Sequence, residues 1–365
     1  MAIKSVPTAG PVDLALCGRD GAVRMSGARG GDMTKLALTL VSLLSMVCMP
    51  VHADENKNCG LKQHAALDVA RTPGRVLVPV TIQGHSAWMV LNTASAFSLI
   101  FDDEPRALQL HRKRFTYGML WRTNAELGEV AVADELQIGD VHYRSVSFPI
   151  FPRRDTPASF DQRPIIGGLG MDVLSQLDFE LDISHGKFNL FSQDHCPGRV
   201  VYWSGPVARL PVRRSDLGEL YFPIELDGKT LEAVMSPGGQ CSVLRTDVAR
   251  EVYGIDEHSA GNETRTEANG RIRTYRLMNL TTPAFEVRNE LVELLPQEYK
   301  HCIVAEHRSN GSMIGYDGCK GAHPLLLGID VLSKLRIYFA TKEQMLYLSP
   351  ANTAATDLRQ TADRP

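Results

Sequence analysis

Two short polar turns, Asn92-Thr93-Ala94-Ser95 and Ser236-Pro237-Gly238-Gly239, each follow an apolar run and open on a hydrogen-bonding side chain. The Asn92 amide and the Ser236 hydroxyl can hold a water molecule, but neither can deprotonate it, so the turns offer binding without acid–base chemistry. Cys241 lies close behind Ser236. No His or Asn can be assigned to it by spacing, so an unpaired, buried, small apolar side chain is expected. Cys302 and Cys319 bracket a Gly-rich loop with His301, His307 and His323 nearby. That spacing lacks the close Cys-x-x-Cys knuckle of structural zinc, so a disulfide is expected and no metal or cofactor. The sequence contains no Gly-x-Ser-x-Gly elbow, no His-Glu-x-x-His pair and no phosphate loop. Asp172 and Asp330 each follow a Gly and open a Val-Leu-Ser-x-Leu segment, where a carboxylate caps free backbone N–H groups, so both are read as structural.

The elements that must position these turns repeat. Residues 76–82 and 87–91 are β-rich runs joined by Gln83-Gly84-His85, a hairpin pattern that delivers the first turn to a defined place. Residues 78–99 lie on residues 222–243 without a gap: Pro79 meets Pro223, Gly84 meets Gly228, Val90 meets Val234 and Ser98 meets Ser242. Residues 170–177 and 328–335 share Gly-x-Asp-Val-Leu-Ser-x-Leu, and alternating strand patterns follow both. Two copies of one β-rich unit imply an all-β, pseudo-twofold, two-lobed protein. The first lobe is assigned to residues 54–200 and the second to 201–350, with a disordered tail over 351–365.

The hairpin, turn and repeated Gly-x-Asp-Val-Leu block resemble the retropepsin-like and pepsin-like aspartic proteases, in which an apolar strand ends in Asp-Thr-Gly and the fold has two β-barrel lobes with a central cleft. The resemblance spans residues 76–348. It implies that Asn92 and Ser236 stand where the two catalytic carboxylates belong, so no catalytic residue is expected. The chemistry of that family needs one ionised and one protonated carboxyl a hydrogen bond apart. Pro237 lacks the hydroxyl and N–H with which the family's Thr locks the turns together, Ala94 restricts the first turn, and Gly238 and Gly239 keep the second pliable. Thr93, Ala94, Ser95, Pro237, Gly238 and Gly239 then line the cleft, and Tyr117 falls where a flap hairpin could cover it. The implied role is an inactive pseudoprotease whose cleft accepts an extended peptide or protein segment by strand addition. The alternatives are a working endopeptidase using displaced carboxylates such as Asp102 or Asp103 or a partner chain, and a structural envelope protein.

The composition, 44% hydrophobic and 22% charged, is globular, and a net charge of −3 with 7% aromatics supplies no basic or stacking surface for nucleic acid. Residues 33–53 read as a secretory signal: Lys35, a short apolar run, then Val51-His52-Ala53. Export to the periplasm or beyond, translation from Met33 with residues 1–32 as an upstream extension, and no membrane anchor after cleavage are the expectations. An oxidising compartment favours disulfides, Cys59 with Cys196 across the ends of the first lobe and Cys302 with Cys319. A monomer is expected.

Overall fold

The computed structural model describes residues 23–25, 60–114, 118–119, 129–153, 156–215, 218–266, 272–295, 303–307, 313–317 and 323–351. Alternation makes the first strand two-faced. In Arg75–Ile82, Val76, Val78, Val80 and Ile82 enter the main core while Leu77 joins a separate cluster on the other face. Gln83 and Gly84 both take positive φ, 46° and 77°, and Asp227 and Gly228 repeat this at 43° and 75°. These two-residue turns suit the twist of a tight hairpin, so His85 already pairs with Ile82 instead of lengthening the loop.

Each lobe closes a six-stranded barrel. In the first the ring runs Arg75–Ile82, His85–Leu91, Arg163–Leu169, Leu99–Phe101, Val141–Phe151 and Glu129–Ile138, and returns through Thr81↔Gln137 and Ile82↔Leu136. In the second it runs Leu220–Leu226, Lys229–Met235, Leu325–Leu327, Val243–Arg245, Phe285–Leu295 and Ile272–Thr281, and returns through Glu225↔Thr281 and Leu226↔Leu280. The strand that ends in each polar turn pairs in parallel with a later strand, Trp88–Leu91 with Ile165–Leu169 and Ala233–Met235 with Leu325–Leu327. The all-β, two-lobed fold class, expected from the repeat and with two barrels as the resemblance implied, is the observed one.

A six-stranded sheet joins the lobes in the order Gln63–Asp68, Lys187–Phe191, Asp178–Asp182, Leu335–Ala340, Met345–Pro350, Ala208–Pro211. Its centre is the antiparallel pair Glu180↔Tyr338, about which the halves are related, and Phe179 stacks on Phe339 at 4.7 Å. Every residue of the two central strands is buried, so the lobes share one continuous apolar core. A small separate sheet of three strands pairs Gly118–Met119 of the first lobe with Ile303–His307 of the second, which in turn pairs with Met313–Asp317. Among the described residues no helix is long and apolar enough to cross a membrane.

Candidate functional site

Both polar turns hang on the same backbone frame. Asn92 N–H donates to the Leu169 carbonyl at 3.0 Å and Ser236 N–H to that of Leu327 at 2.8 Å. Ser95 N–H closes on Asn92 O at 3.2 Å, as Gly239 N–H closes on Ser236 O at 2.9 Å. Met171 N–H then binds Ser95 O, and Ile329 N–H binds Gly239 O, each at 2.9 Å. Asn92 and Ser236 therefore occupy twofold-equivalent points, both half-buried. Gly170 and Gly328 permit this closeness. A Cβ on Gly170 would sit 2.3 Å from the Phe97 carbonyl carbon, and one on Gly328 2.5 Å from that of Cys241.

The acids of the repeated block tie these turns down. Asp172 Oδ1 accepts from Ser98 N–H (2.8 Å), Ser98 Oγ–H (2.7 Å) and Val173 N–H (2.9 Å). Asp330 does the same with Ser242 N–H and Oγ–H, both at 2.8 Å, and Val331 N–H at 2.9 Å. The short helices begin one residue before each acid, at Met171 and Ile329, so the carboxylates serve mainly as staples between helix and turn. Burial pushes both carboxyls up, Asp330 to about 6, with the Ser98 and Ser242 hydrogen bonds opposing it.

The turns are locked together from one side. Thr93 Oγ1 donates to the Met235 carbonyl at 2.7 Å in a buried contact. Pro237 has no hydroxyl to return the bond, and instead its carbonyl accepts from Val76 N–H at 3.0 Å. Neither Gly238 nor Gly239 takes positive φ. Gly238 gives close approach: a Cβ there would stand 3.3 Å from Leu91 O and from Val90 Cγ1. Ala94, its counterpart, buries its methyl against Tyr221, Val234 and Leu326 across the lobe boundary.

Asp103 is gripped by Arg153, Nε to Oδ2 at 2.8 Å and Nη2 to Oδ1 at 3.0 Å, which holds its carboxyl below the usual range. Asp102 Oδ1 accepts from Arg153 N–H at 3.2 Å. Both carboxylates are engaged in one arginine-centred surface network. Tyr117, Cys59, Cys302 and Cys319 lie outside the described residues. Cys196 and Cys241 are each disulfide-bonded. For Cys241 this corrects the expectation of an unpaired thiol. Its turn is only half-buried and stands where exposed Phe97 stands in the first lobe, so bracketing cysteines by sequence proximity chose the wrong orphan.

Sequence reasoning missed a polar group beside Ala94. Tyr221 packs on His323 at 5.1 Å between ring centroids, and Glu219 accepts from the Tyr221 hydroxyl at 3.3 Å. His323 Nε2 lies 3.5 Å from Glu219 Oε1. Burial, then the Glu219 charge, pushes the Tyr221 hydroxyl up and keeps it neutral. The available signal was the repeat itself, which sets Tyr221 on Leu77. Among the described residues no group of three or more His, Cys, Asp or Glu side chains is arranged to hold a metal ion. No protein-family model matches this chain, and no curated protein matches it.

Proposed function

We propose that this chain is an exported, non-catalytic relative of the two-lobed aspartic proteases that binds an extended peptide or protein segment between its lobes. The observation that carries the reading is the pair of twofold-equivalent turns with an amide, Asn92, and a hydroxyl, Ser236, in place of two carboxyls. Water activation in this geometry needs a base and an acid sharing one proton, and neither side chain can be either. The displaced carboxylates considered as substitutes weaken the hydrolase reading, since Asp103 is paired with Arg153, Asp102 accepts from Arg153 N–H, and Asp172 and Asp330 are held by Ser98 and Ser242. A binding role asks only for the frame, which the backbone bonds and Thr93 maintain.

The test is a peptide library incubated with purified full chain from acid to neutral pH, read by mass spectrometry for both cleavage and retention. The expected result is retention of a subset of extended peptides with no new termini. Robust cleavage suppressed by pepstatin overturns the reading in favour of a working endopeptidase. Asn92→Asp alone is expected to add no cleavage, because one carboxyl lacks its partner.

A further inference from the structure

We propose that the hairpin formed by Ile303–His307 and Met313–Asp317 is a strap between the lobes, and that an extended segment is admitted by replacing Gly118–Met119 on the edge of Ile303–His307. The inference rests on the binding reading above and assigns the strand to which the bound segment adds. The repeat sets the hairpin apart as an insertion. Equivalent strands flank this place in each lobe, yet the first passes from Phe151 to Arg163 through residues 152–162, whereas the second passes from Leu295 to Leu325 through residues 296–324. A barrel closes without the excess, as the first lobe shows. The insertion leaves and re-enters the barrel close to the second turn: Leu295 pairs with Arg245 and Leu325 with Leu244, in the strand that follows that turn. Its edge strand nevertheless pairs with the first lobe, Val304 with Met119 and Ala305 with Gly118.

The two joints between the lobes differ in strength. In the shared six-stranded sheet four consecutive pairs, Phe179↔Phe339 to Asp182↔Arg336, join strands whose every residue is buried. The strap joint covers two of the five residues of Ile303–His307. Antiparallel positions alternate between bonded and non-bonded pairs, so two consecutive positions hold a single hydrogen-bonded pair. A joint with so few backbone bonds opens well before the shared sheet does. The platform outlasts the opening, because Ile303–His307 keeps all five of its pairings with Met313–Asp317 on the other side. Once Gly118–Met119 leaves, that edge offers five residues of unfilled ladder, and strand addition draws its affinity from main-chain bonds that any extended peptide supplies. A segment of five residues or more fills the edge further than Gly118–Met119 does, which is what lets it displace them.

The double variant Gly118→Pro, Met119→Pro removes both N–H donors of the first-lobe strand, whichever position holds the bonded pair, and leaves the edge of Ile303–His307 intact. Incubated with a pooled decapeptide library, the purified full chain carrying it is expected to retain roughly threefold more peptide than wild type, because a site open only part of the time loses apparent affinity in proportion to the closed fraction. Ala305→Pro, which damages the edge itself, is expected to retain less than wild type. Unchanged or weaker retention by the double variant overturns the proposal, as does wild-type retention by Ala305→Pro. Should a variant fail to fold, hydrogen exchange on the wild type decides: with peptide bound, the amides of Gly118–Met119 should exchange faster while those of Ile303–His307 stay protected, and slowing at both strands overturns the replacement. If neither wild type nor the double variant retains any peptide, the binding reading itself fails, and exchange in the peptide-free proteins judges the strap alone. Faster exchange across Ile303–His307 in the double variant then supports it, and unchanged exchange sinks it.

Discussion

The turn after His85–Leu91 and the turn after Lys229–Met235 share the backbone hydrogen bonds that close them, but only the second also accepts from Val76 N–H, and among the described residues the only hydroxyl lock between them comes from the first. The same contrast runs outward. Behind the first turn Leu77, Trp88, Val90, Phe101 and Ile165 form an apolar wall, whereas behind the second the equivalent wall holds Tyr221 with Glu219 and His323 on it. Main-chain geometry is set by strand pairing and close packing and tolerates side-chain change, so a fold can keep the frame of a site after the site's chemistry has gone.

The largest expected effect tests whether the two staples are equal. Asp330 is the more deeply enclosed, and Asp330→Ala strands Ser242 N–H, Ser242 Oγ and Val331 N–H at a cost of roughly 4 kcal/mol. Asp172→Ala is expected to cost nearer to 3 kcal/mol, water being able to repair part of its site. Urea unfolding at constant pH measures both. Equal losses would erase the difference between the lobes.

A pH series sharpens the same comparison. A carboxyl at about 6 in the folded chain and 3.8 in the unfolded one binds its proton more tightly when folded. Stability from Asp330 is then complete below about pH 4 and declines by up to about 3 kcal/mol as pH rises to about 6. Asp330→Asn should flatten this part of the profile, and Asp172→Asn should flatten it less. A wild-type profile that rises between those pH values would show the staple ionised throughout.

The frame of the site was legible in the sequence because both copies align without gaps over hairpin and turn. Asn92 with Ser236, and Gly170 with Gly328, could be paired from spacing alone. What stayed hidden lay in contacts between distant positions with no shared period. Nothing near Pro237 announces that its carbonyl serves Val76, and the group formed by Glu219, Tyr221 and His323 draws on two segments about a hundred residues apart. Cys241 was hidden for a related reason, since parity of cysteines says how many are odd and not which one.

The one-sided lock gives a middle-sized effect. Thr93→Val keeps the shape of the side chain but removes the buried bond to Met235 O, and is expected to cost roughly 1.5 kcal/mol in urea unfolding. Pro237→Thr restores a hydroxyl to the opposite turn. If the turns can lock reciprocally, Pro237→Thr in the Thr93→Val background should recover part of that loss, and no recovery would mean the second turn has settled too far around Val76 to re-form the bond.

The smallest effect comes from exchanging Ala94 and Gly238, which the repeat sets at the same position. Ala94→Gly withdraws a methyl from Tyr221, Val234 and Leu326 and adds freedom to the unfolded chain, together about 1 kcal/mol. Gly238→Ala introduces a methyl 3.3 Å from Leu91 O and Val90 Cγ1, close enough that the neighbours must shift by a few tenths of an ångström, and should also cost about 1 kcal/mol. The two sites meet at one seam, so the double exchange is the informative measurement. Costs that add within about 0.5 kcal/mol would mean that each turn answers only to its own surroundings. A double variant appreciably more stable than the sum would mean that the second turn moves into space left by the Ala94 methyl, so that the asymmetry of the lobes at this seam is one packing solution shared by both.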